Sequence, residues 1–296
     1  MDPQAELKNL VPQKEFLIAI DSDGCAFDTM EIKHKECFIP NIVKYWELQP
    51  VSKFLRAASE FVNLYSEWRG INRFPALTKA LDLLEAWPDV QQRGVKIPAV
   101  PSLRDWIARE TKLSNPALAI EVERTNDPVL TQALAWSEAV NVIVADLVYG
   151  IPPFPYVRAS LEKISAWADV IVCSATPHEA LAREWEEHDI SKYVRVLAGQ
   201  EMGSKKEHIE LASQGRYAEG RVLMIGDAPG DMKAAKGNNA SFFPINPGSE
   251  EKSWERFFKE GAGRIRNGQF TEAYEADLVA EFERLLPSTP PWIGDR

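Results

Sequence analysis

Two aspartates, Asp21 and Asp23, lie one residue apart directly after a short apolar segment. Carboxylates this close repel one another unless a cation or a shared proton relieves the charge. The segment itself, FLIAI at residues 16–20, is typical of a buried strand of a parallel sheet. Ligands of such sheets bind at the carboxyl ends of the strands, and Gly24 allows a sharp turn there. We therefore predict a metal-assisted acid site at this position.

Two further segments place polar side chains after apolar runs. Ser174 follows DVIVC, where its hydroxyl could bond a phosphate oxygen beside the backbone donors of the next helix start. Lys205 opens a helix after Ser204, and Ser204 with Glu207 fits a capping box that would hold the lysine near the sheet. Lys206 is the alternative to Lys205 if the register is shifted by one residue.

A pair of carboxylates, Asp227 and Asp231, lies four residues apart after the apolar segment VLMI. Each of these segments has a simpler interpretation by itself: a solvated turn, a helix cap or an exposed lysine. All of them, however, follow apolar strands or begin the next helix within one alternating region. This shared position favours a single pocket over four unrelated loops.

The elements that must position these residues alternate along the chain. Predicted strands alternate with predicted helices after the linker YGIPPFPY at residues 149–156, which indicates right-handed crossovers and a parallel sheet. The predicted strands lie at residues 16–20, 169–173, 194–197, 222–225 and 241–245, and the predicted helices between them at 156–167, 177–187, 204–214 and 229–236. Residues 29–149 show helical spacing almost throughout. We therefore predict an α/β core domain at 1–28 and 150–296 and a helical domain at 29–149.

Four segments resemble the motifs of the haloacid dehalogenase superfamily, in the order of that family: DSDGCAFD, VIVCSAT, SKKEHI and MIGDAPGD. The resemblance covers residues 15–28 and roughly 150–247. It implies a Rossmannoid three-layer α/β core with a five-stranded parallel sheet. It also implies that the helical segment between the first two motifs is a cap domain.

The resemblance also implies roles for the motif residues. Asp21 would be the nucleophile that forms an aspartyl-phosphate, and Asp23 the general acid and base. Ser174 and Lys205 would hold the phosphoryl oxygens.

A magnesium ion is the cofactor that the resemblance implies. Its expected ligands are Asp21, the backbone carbonyl of Asp23 and Asp227. Asp231 would either support these ligands without touching the ion or bind the ion through a water. A carboxylate at position 23 distinguishes the chain from family members that cleave carbon–halogen bonds. Hydrolysis of a phosphate monoester is therefore the leading prediction.

Two alternatives stay open. A phosphomutase resembling β-phosphoglucomutase would use the same nucleophile and acid–base pair. A non-catalytic phospho-acceptor module would also gather carboxylates, a hydroxyl and a lysine. Such modules have a short uninterrupted chain and no acid at the position of Asp23, so this sequence does not match them.

The sequence offers three candidate substrate-binding residues, and their patterns are less specific than those of the motif residues. Arg69 and Arg73, in the stretch SEWRGINRFPAL, could grip a second anionic group, or could be surface arginines of an interhelical turn. Thr176, two residues after Ser174, is a third candidate.

Composition limits the partners. A net charge of −10 disfavours nucleic acid and anionic membrane surfaces, whereas a small phosphorylated metabolite remains compatible with a local cation. The three cysteines form no CxxC pair, no apolar run approaches the length of a membrane span, and no signal peptide is recognised. We expect a cytoplasmic protein, and the oligomeric state is left open.

Overall fold

The structure is a computed structural model and describes residues 2–294. These residues form two compact units. The first unit runs to Met30 and resumes over Gly150–Leu286; the second comprises Glu31–Tyr149 and the described residues from Pro287 onward. The chain changes unit after Met30, Tyr149 and Leu286, and the sequence analysis placed its domain boundaries after residues 28 and 149. The last segment groups with the helical unit, whereas the sequence assigned it to the core domain.

The helices follow one another along the chain with few long gaps. In chain order they are α1 (Ala5–Lys8), α2 (Thr29–Ile32), α3 (Ile39–Tyr45), α4 (Ser52–Leu64), α5 (Arg73–Glu85), α6 (Pro88–Gln92), α7 (Pro101–Arg109), α8 (Asn115–Thr125), α9 (Pro128–Leu147), α10 (Val157–Ser165), α11 (His178–Glu187), α12 (Lys205–Ser213), α13 (Pro229–Lys236), α14 (Glu250–Arg256), α15 (Ala262–Arg266), α16 (Glu272–Arg284) and α17 (Pro291–Gly294). A π-helical turn, Lys33–Phe38, joins α2 to α3.

The first unit is built on one parallel sheet of five strands. Its strands are β1 (Phe16–Ile20), β2 (Ala168–Cys173), β3 (Val196–Ala198), β4 (Val222–Gly226) and β5 (Ser241–Pro244). Their spatial order is β3-β2-β1-β4-β5, so the first strand lies in the middle with β2 and β4 on either side. The predicted five-stranded parallel sheet is confirmed, with strand ends that differ by one or two residues.

Both faces of this sheet are covered, which explains the unbroken apolar character of its strands. Alternate side chains of β1 enter different cores. Ile18 and Ile20 pack with Trp185 on one face, while Leu17 and Ala19 pack with Ile209 on the other. Helices of the same unit supply the remaining side chains on each face, which gives the predicted three-layer α/β arrangement.

All regular secondary structure in the described residues of the second unit is helical, and the unit has a core of its own. Trp136 on α9 lies at its centre, with ring centroids 5.5 Å from Trp46 and 6.2 Å from Phe74. Helix α9 starts as its sequence predicts: Asp127 accepts hydrogen bonds from the backbone of Val129 and Leu130.

Helix α9 also has the length and the mean hydropathy of a membrane-crossing helix. The sequence analysis did not predict this feature. Its apolar side chains are interrupted by polar ones, so the sequence contains no continuous apolar run of that length. Leu130, Ala133, Trp136 and Val140 lie buried within the helical unit. Only 28% of its most apolar window is buried, so α9 packs through one face and leaves most of its other residues at least partly exposed.

Candidate active site

The register of the sheet brings the predicted site residues to one edge. Ile20, the last residue of β1, pairs with Val172 of β2 and with Ile225 of β4. The residues that follow these strands therefore leave the sheet side by side. This places Asp21 between the segments that carry Ser174 and Asp227.

The loop after β1 is folded tightly around its own backbone. The carbonyl of Ser22 accepts hydrogen bonds from the amides of Cys25, Ala26 and Phe27, and the amide of Gly24 donates to the carbonyl of Phe27. Gly24 has φ of 75°, a conformation that favours glycine. The turn that the sequence predicted from Gly24 is thus present, and it leaves Asp21 almost fully buried.

Lys205 bridges two of the aspartates. Its Nζ lies 2.6 Å from Oδ2 of Asp21 and 2.6 Å from Oδ1 of Asp231. The predicted capping box explains this position, because Ser204 and Glu207 bond each other's backbone amides at the start of α12. Lys205, and not the exposed Lys206, therefore reaches the acidic cluster.

Asp231 is fully engaged by the protein. While Oδ1 faces Lys205, Oδ2 accepts hydrogen bonds from the amides of Asp227 and Ala228 at 3.2 and 3.0 Å. The approach requires a glycine at position 226, since a Cβ there would lie 2.4 Å from Cβ of Asp231. Asp231 thus fixes both the lysine and the loop that carries Asp227.

The geometry of this cluster fits a hard divalent cation. One carboxylate oxygen from each of Asp21, Asp227 and Asp231 lies within 4.8 Å of the other two, and all three residues are buried. When every group is ionised, three carboxylates and the Lys205 ammonium leave a net charge of −2. Oxygen ligands of this kind suit Mg²⁺.

Burial and mutual repulsion act on the protonation of these groups. Burial raises the pKa of Asp21 well above its usual value; Lys205 opposes this, and Asp231 and Asp227 add to it. Burial by itself would lower the pKa of Lys205, but the three carboxylates outweigh it and raise that pKa well above the ordinary value. Lys205 therefore stays protonated, and one divalent cation would neutralise the remaining net charge of −2.

Asp23 is held by two threonine hydroxyls. Thr29 donates to Oδ1 at 2.5 Å, and Thr176 donates to Oδ2 at 2.7 Å. Thr29 begins α2, whereas Thr176 belongs to the loop after β2. The sequence suggested Thr176 as a substrate residue and missed Thr29; the only signal for either is a hydroxyl-bearing side chain near a motif.

Ser174 takes up the position predicted for it at the end of β2. Its amide donates to the carbonyl of Ala198, and its Oγ accepts a hydrogen bond from the amide of Thr176. The side chain is buried at the sheet edge. An oxygen ligand could receive the Ser174 hydroxyl proton, because the bond from Thr176 leaves that proton available.

A further contact ties the loop that follows Asp21 to α11. The indole of Trp185 donates to Oγ of Ser22 at 2.9 Å, and Ser22 donates to Glu184 at 3.0 Å. Ser22 is fully buried, and its amide donates to Oδ1 of Asp21 at 2.7 Å. The sequence offered no signal for this link, because Trp185 lies at an ordinary core spacing.

The two candidate arginines, Arg69 and Arg73, lie in the helical unit and donate hydrogen bonds within it. Arg69 is buried and donates to the carbonyl of Leu64 at 2.8 Å. Arg73 donates to Ser137 and to Asn141. Both side chains therefore contribute to the helical unit itself, and their contact with a substrate stays a prediction.

The segments DSDGCAFD, VIVCSAT and MIGDAPGD lie at the carboxyl ends of β1, β2 and β4, and SKKEHI lies at the start of α12. No protein-family model matches the chain, and no curated protein matches it.

Solved phosphatases and hydrolases share part of the course of this chain. A phosphoglycolate phosphatase candidate from Lactobacillus delbrueckii subsp. bulgaricus is 16% identical, with a TM-score of 0.47 over 87% of this chain and 99% of that one. The haloacid dehalogenase-like hydrolase SP0104 of Streptococcus pneumoniae is 14% identical, with a TM-score of 0.45 over 82% and 90%. A subfamily IA hydrolase of Geobacter sulfurreducens is 14% identical, with a TM-score of 0.40 over 78% and 88%. Such distant likenesses say nothing about the substrate of this chain.

Proposed function

We propose that this chain is a Mg²⁺-dependent phosphatase of the haloacid dehalogenase superfamily that hydrolyses a small phosphate monoester. The observation that carries the proposal is the position of Lys205, 2.6 Å from both Asp21 and Asp231 within a buried cluster of three carboxylates. An arrangement of this kind serves a ligand that brings both negative charge and a divalent cation.

In the first step, a carboxylate oxygen of Asp21 attacks phosphorus and the ester oxygen leaves. The amide of Ser22 and the ammonium of Lys205 hold the Asp21 carboxylate in one orientation for this attack. Asp23 gives its proton to the departing alkoxide, so that an alcohol is released. The product of the step is an aspartyl-phosphate on Asp21.

In the second step, Asp23 takes a proton from water, and the oxygen of that water attacks the same phosphorus. The bond between phosphorus and Asp21 breaks, inorganic phosphate leaves, and Asp23 is again protonated. Ser174 and Lys205 would contact the phosphoryl oxygens in both steps. Asp21, Asp227 and the carbonyl of Asp23 would hold Mg²⁺, which neutralises charge on the phosphoryl group.

The substrate class follows from charge and chemistry. With a net charge of −10, the chain suits a small diffusible ester better than a polyanion such as nucleic acid. A cytoplasmic location agrees with three free, buried cysteines and remains a prediction.

Phosphate release from a panel of phosphorylated sugars, nucleotides and hydroxy acids tests the proposal. The assay is run with Mg²⁺, with EDTA, and with Asp21→Asn. We expect release that requires the metal and is lost in Asp21→Asn. Asp82→Asn, an exposed aspartate paired with Arg104 in the helical unit, is the matched control and should keep full activity.

Acid quenching during turnover gives an independent measurement. A phosphoryl group that is stable to acid and labile to hydroxylamine should appear on the wild-type protein and be absent from Asp21→Asn. Release from no ester by a folded, Mg²⁺-loaded protein would overturn the phosphatase proposal. Isomerisation of a sugar phosphate that depends on a bisphosphate, without net release, would identify the mutase instead.

A further inference from the structure

Ser22, the residue after the proposed nucleophile, uses every polar group that it has. Its amide donates to Oδ1 of Asp21 at 2.7 Å, and its carbonyl accepts hydrogen bonds from the amides of residues 25–27. Its hydroxyl accepts the indole N–H of Trp185 at 2.9 Å and donates to Oε2 of Glu184 at 3.0 Å. Ser22 is fully buried. The position of its backbone is therefore set by the contacts of its hydroxyl as well as by the turn.

The amide of Ser22 is one of two groups that hold the Asp21 carboxylate. The other is Lys205, whose Nζ lies 2.6 Å from Oδ2. Lys205 divides its charge between Asp21 and Asp231, and in the proposed reaction it also contacts the phosphoryl oxygens. Among the described residues, the Ser22 amide bonds Asp21 alone. It is therefore the partner that can keep the nucleophile oriented while the contacts of Lys205 change.

Both partners of the Ser22 hydroxyl are consecutive residues of α11. Trp185 is fully buried and packs with Ile18 and Ile20 of β1 on one face of the sheet. The edge of its ring also meets Phe27, with ring centroids 5.7 Å apart. The indole N–H that reaches Ser22 is thus held in place by the core of the same unit.

Burial of an indole does not by itself produce such a bond in this protein. Among the described residues, Nε1 of Trp46 and Nε1 of Trp136 are buried without a hydrogen-bond partner. Trp185 and Trp254, in contrast, both donate to the loop that follows Asp21. The bond from Trp185 is therefore a feature of this loop and not a general consequence of burying a tryptophan.

The two indoles differ in the part of the loop that they reach. Trp185 bonds the side chain of Ser22, which is joined directly to Asp21 and bonds its carboxylate. Trp254, on α14, donates to the carbonyl of Cys25 at 2.7 Å. Within the part of the chain that the structure describes, no hydrogen bond joins Cys25 to Asp21. Loss of the Trp185 N–H should therefore release the nucleophile, whereas loss of the Trp254 N–H should loosen the loop farther along.

We propose that Trp185 is a positioning residue for Asp21 and acts through the hydroxyl and the amide of Ser22. The inference rests on the proposed function, in which an oxygen of Asp21 attacks phosphorus. A displacement of a reacting atom by about 1 Å can slow a reaction about a hundredfold. The role differs from that of Thr176, which bonds Asp23 and so bears on proton transfer.

Trp185→Phe and Trp254→Phe are a matched pair that tests the proposal. Each variant removes one fully buried indole N–H from the same loop and keeps an aromatic ring. Rapid acid quenching at saturating ester measures how fast the phosphoprotein forms. In Trp185→Phe this rate should fall roughly tenfold, with KM within about twofold of the wild-type value. The fall should be equal for an alkyl phosphate and for p-nitrophenyl phosphate, because attack by Asp21 precedes any need for an acid.

Trp254→Phe should form the phosphoprotein at the wild-type rate, although urea unfolding should show a comparable loss of stability in both variants. Equal slowing in the two variants would show that loop stability, and not the orientation of Asp21, sets the rate. That result would overturn the proposal, as would an unchanged rate in Trp185→Phe.

Ser22→Ala tests the path from Trp185 to Asp21. It removes the acceptor of the indole N–H, so phosphoprotein formation should slow as in Trp185→Phe, and the double variant should be no slower than Ser22→Ala. Losses that multiply in the double variant would refute an action through Ser22. If Trp185→Phe does not fold, an unchanged rate in Ser22→Ala refutes the proposal by itself. A wild-type protein that forms no phosphoprotein and releases no phosphate would refute the proposed function, and this inference with it, before any variant is compared.

Discussion

The hydroxyl of Thr176 donates a hydrogen bond to Oδ2 of Asp23, and the hydroxyl of Thr29 donates to Oδ1 of the same carboxylate. The two donors lie 147 residues apart in the sequence, at the start of α2 and after β2. A carboxylate that receives one hydroxyl on each oxygen is fixed in its plane. Asp23 is therefore oriented by side chains from two separate elements.

Replacement of Thr176 by valine should weaken the proposed acid step. The variant loses one of the two donors that orient Asp23, while the volume of the side chain is nearly unchanged. We expect kcat to fall about tenfold or more for an alkyl phosphate, whose leaving oxygen needs a proton. For p-nitrophenyl phosphate, whose phenolate leaves without one, the fall should be small.

Steady-state kinetics with both esters check this difference, and Thr176→Ser should restore the wild-type ratio. Thr131→Val, which removes an exposed hydroxyl bonded to the carbonyl of Asp127, is the matched control. An equal loss for both esters would show that Thr176 supports the fold of the site and not the acid.

Gly226→Ala should inactivate the protein although glycine carries no functional group. The new Cβ would lie 2.4 Å from Cβ of Asp231. Asp231 must therefore move away from Lys205 and from the backbone amides whose hydrogen bonds it accepts. We expect loss of most activity and a decrease of about 2–4 kcal/mol in the free energy of unfolding.

Gly230→Ala provides the comparison for Gly226→Ala. It lies in the same motif, and a Cβ at position 230 meets no atom within 4 Å. This variant should retain activity and stability. Urea unfolding and phosphate release measure both variants, and full activity in Gly226→Ala would contradict the role given to Asp231.

His208 should make the stability of the core unit depend on pH. It is fully buried on α12, and burial together with the nearby charge of Lys205 lowers its pKa from 6.5 to about 4, against an opposing contribution from Glu207. As pH falls below 6.5, His208 becomes protonated in the unfolded chain but stays neutral in the folded chain. Stability is therefore complete above this pH and is lost progressively down to pH 4.

The expected contribution of His208 between pH 7 and pH 5 is about 2 kcal/mol. Chemical unfolding of the wild type and of His208→Leu at both pH values measures it, since other groups titrate alike in the two proteins. The decrease from pH 7 to pH 5 should be smaller in His208→Leu by this amount. An identical decrease in both proteins would show that His208 takes up its proton in the folded state.

The sequence predicted the sheet well because its strands are short, apolar and followed by polar residues. Both the five strands and the order of the motifs along one edge could be inferred in this way. The carboxylates of Asp21, Asp227 and Asp231 likewise meet because parallel strands end together.

What the sequence could not predict are contacts made by single side chains across long separations. Thr29 and Trp185 carry no pattern that marks them, since a threonine at a helix start and a tryptophan at a core spacing are common. Asp169 is another case: it is the second residue of β2 and accepts hydrogen bonds from the amides of Gln13 and Lys14 and from the hydroxyl of Tyr217. Each of these contacts depends on a three-dimensional position, not on periodicity.

The end of the chain shows the same limit. Its last residues are polar and rich in proline, a composition typical of a mobile extension, yet Trp292 stacks on Trp87 with ring centroids 4.2 Å apart and planes 6° from parallel. It also meets the edge of Phe61 at 5.7 Å. A single aromatic residue after a polar segment gives no sequence signal for such a partner.

Trp292→Ala should therefore loosen the helical unit and spare the sheet. The truncation removes an aromatic stack of the kind worth about 0.5–1.5 kcal/mol, together with the burial of the indole. Amide exchange should become faster in α4, which carries Phe61, and near Trp87, while β1 and β4 keep their protection. Ile293→Ala, the adjacent and exposed residue, should leave both regions unchanged. Faster exchange throughout the sheet would show that the tail stabilises the whole chain, and unchanged exchange in α4 would show that the stack contributes nothing.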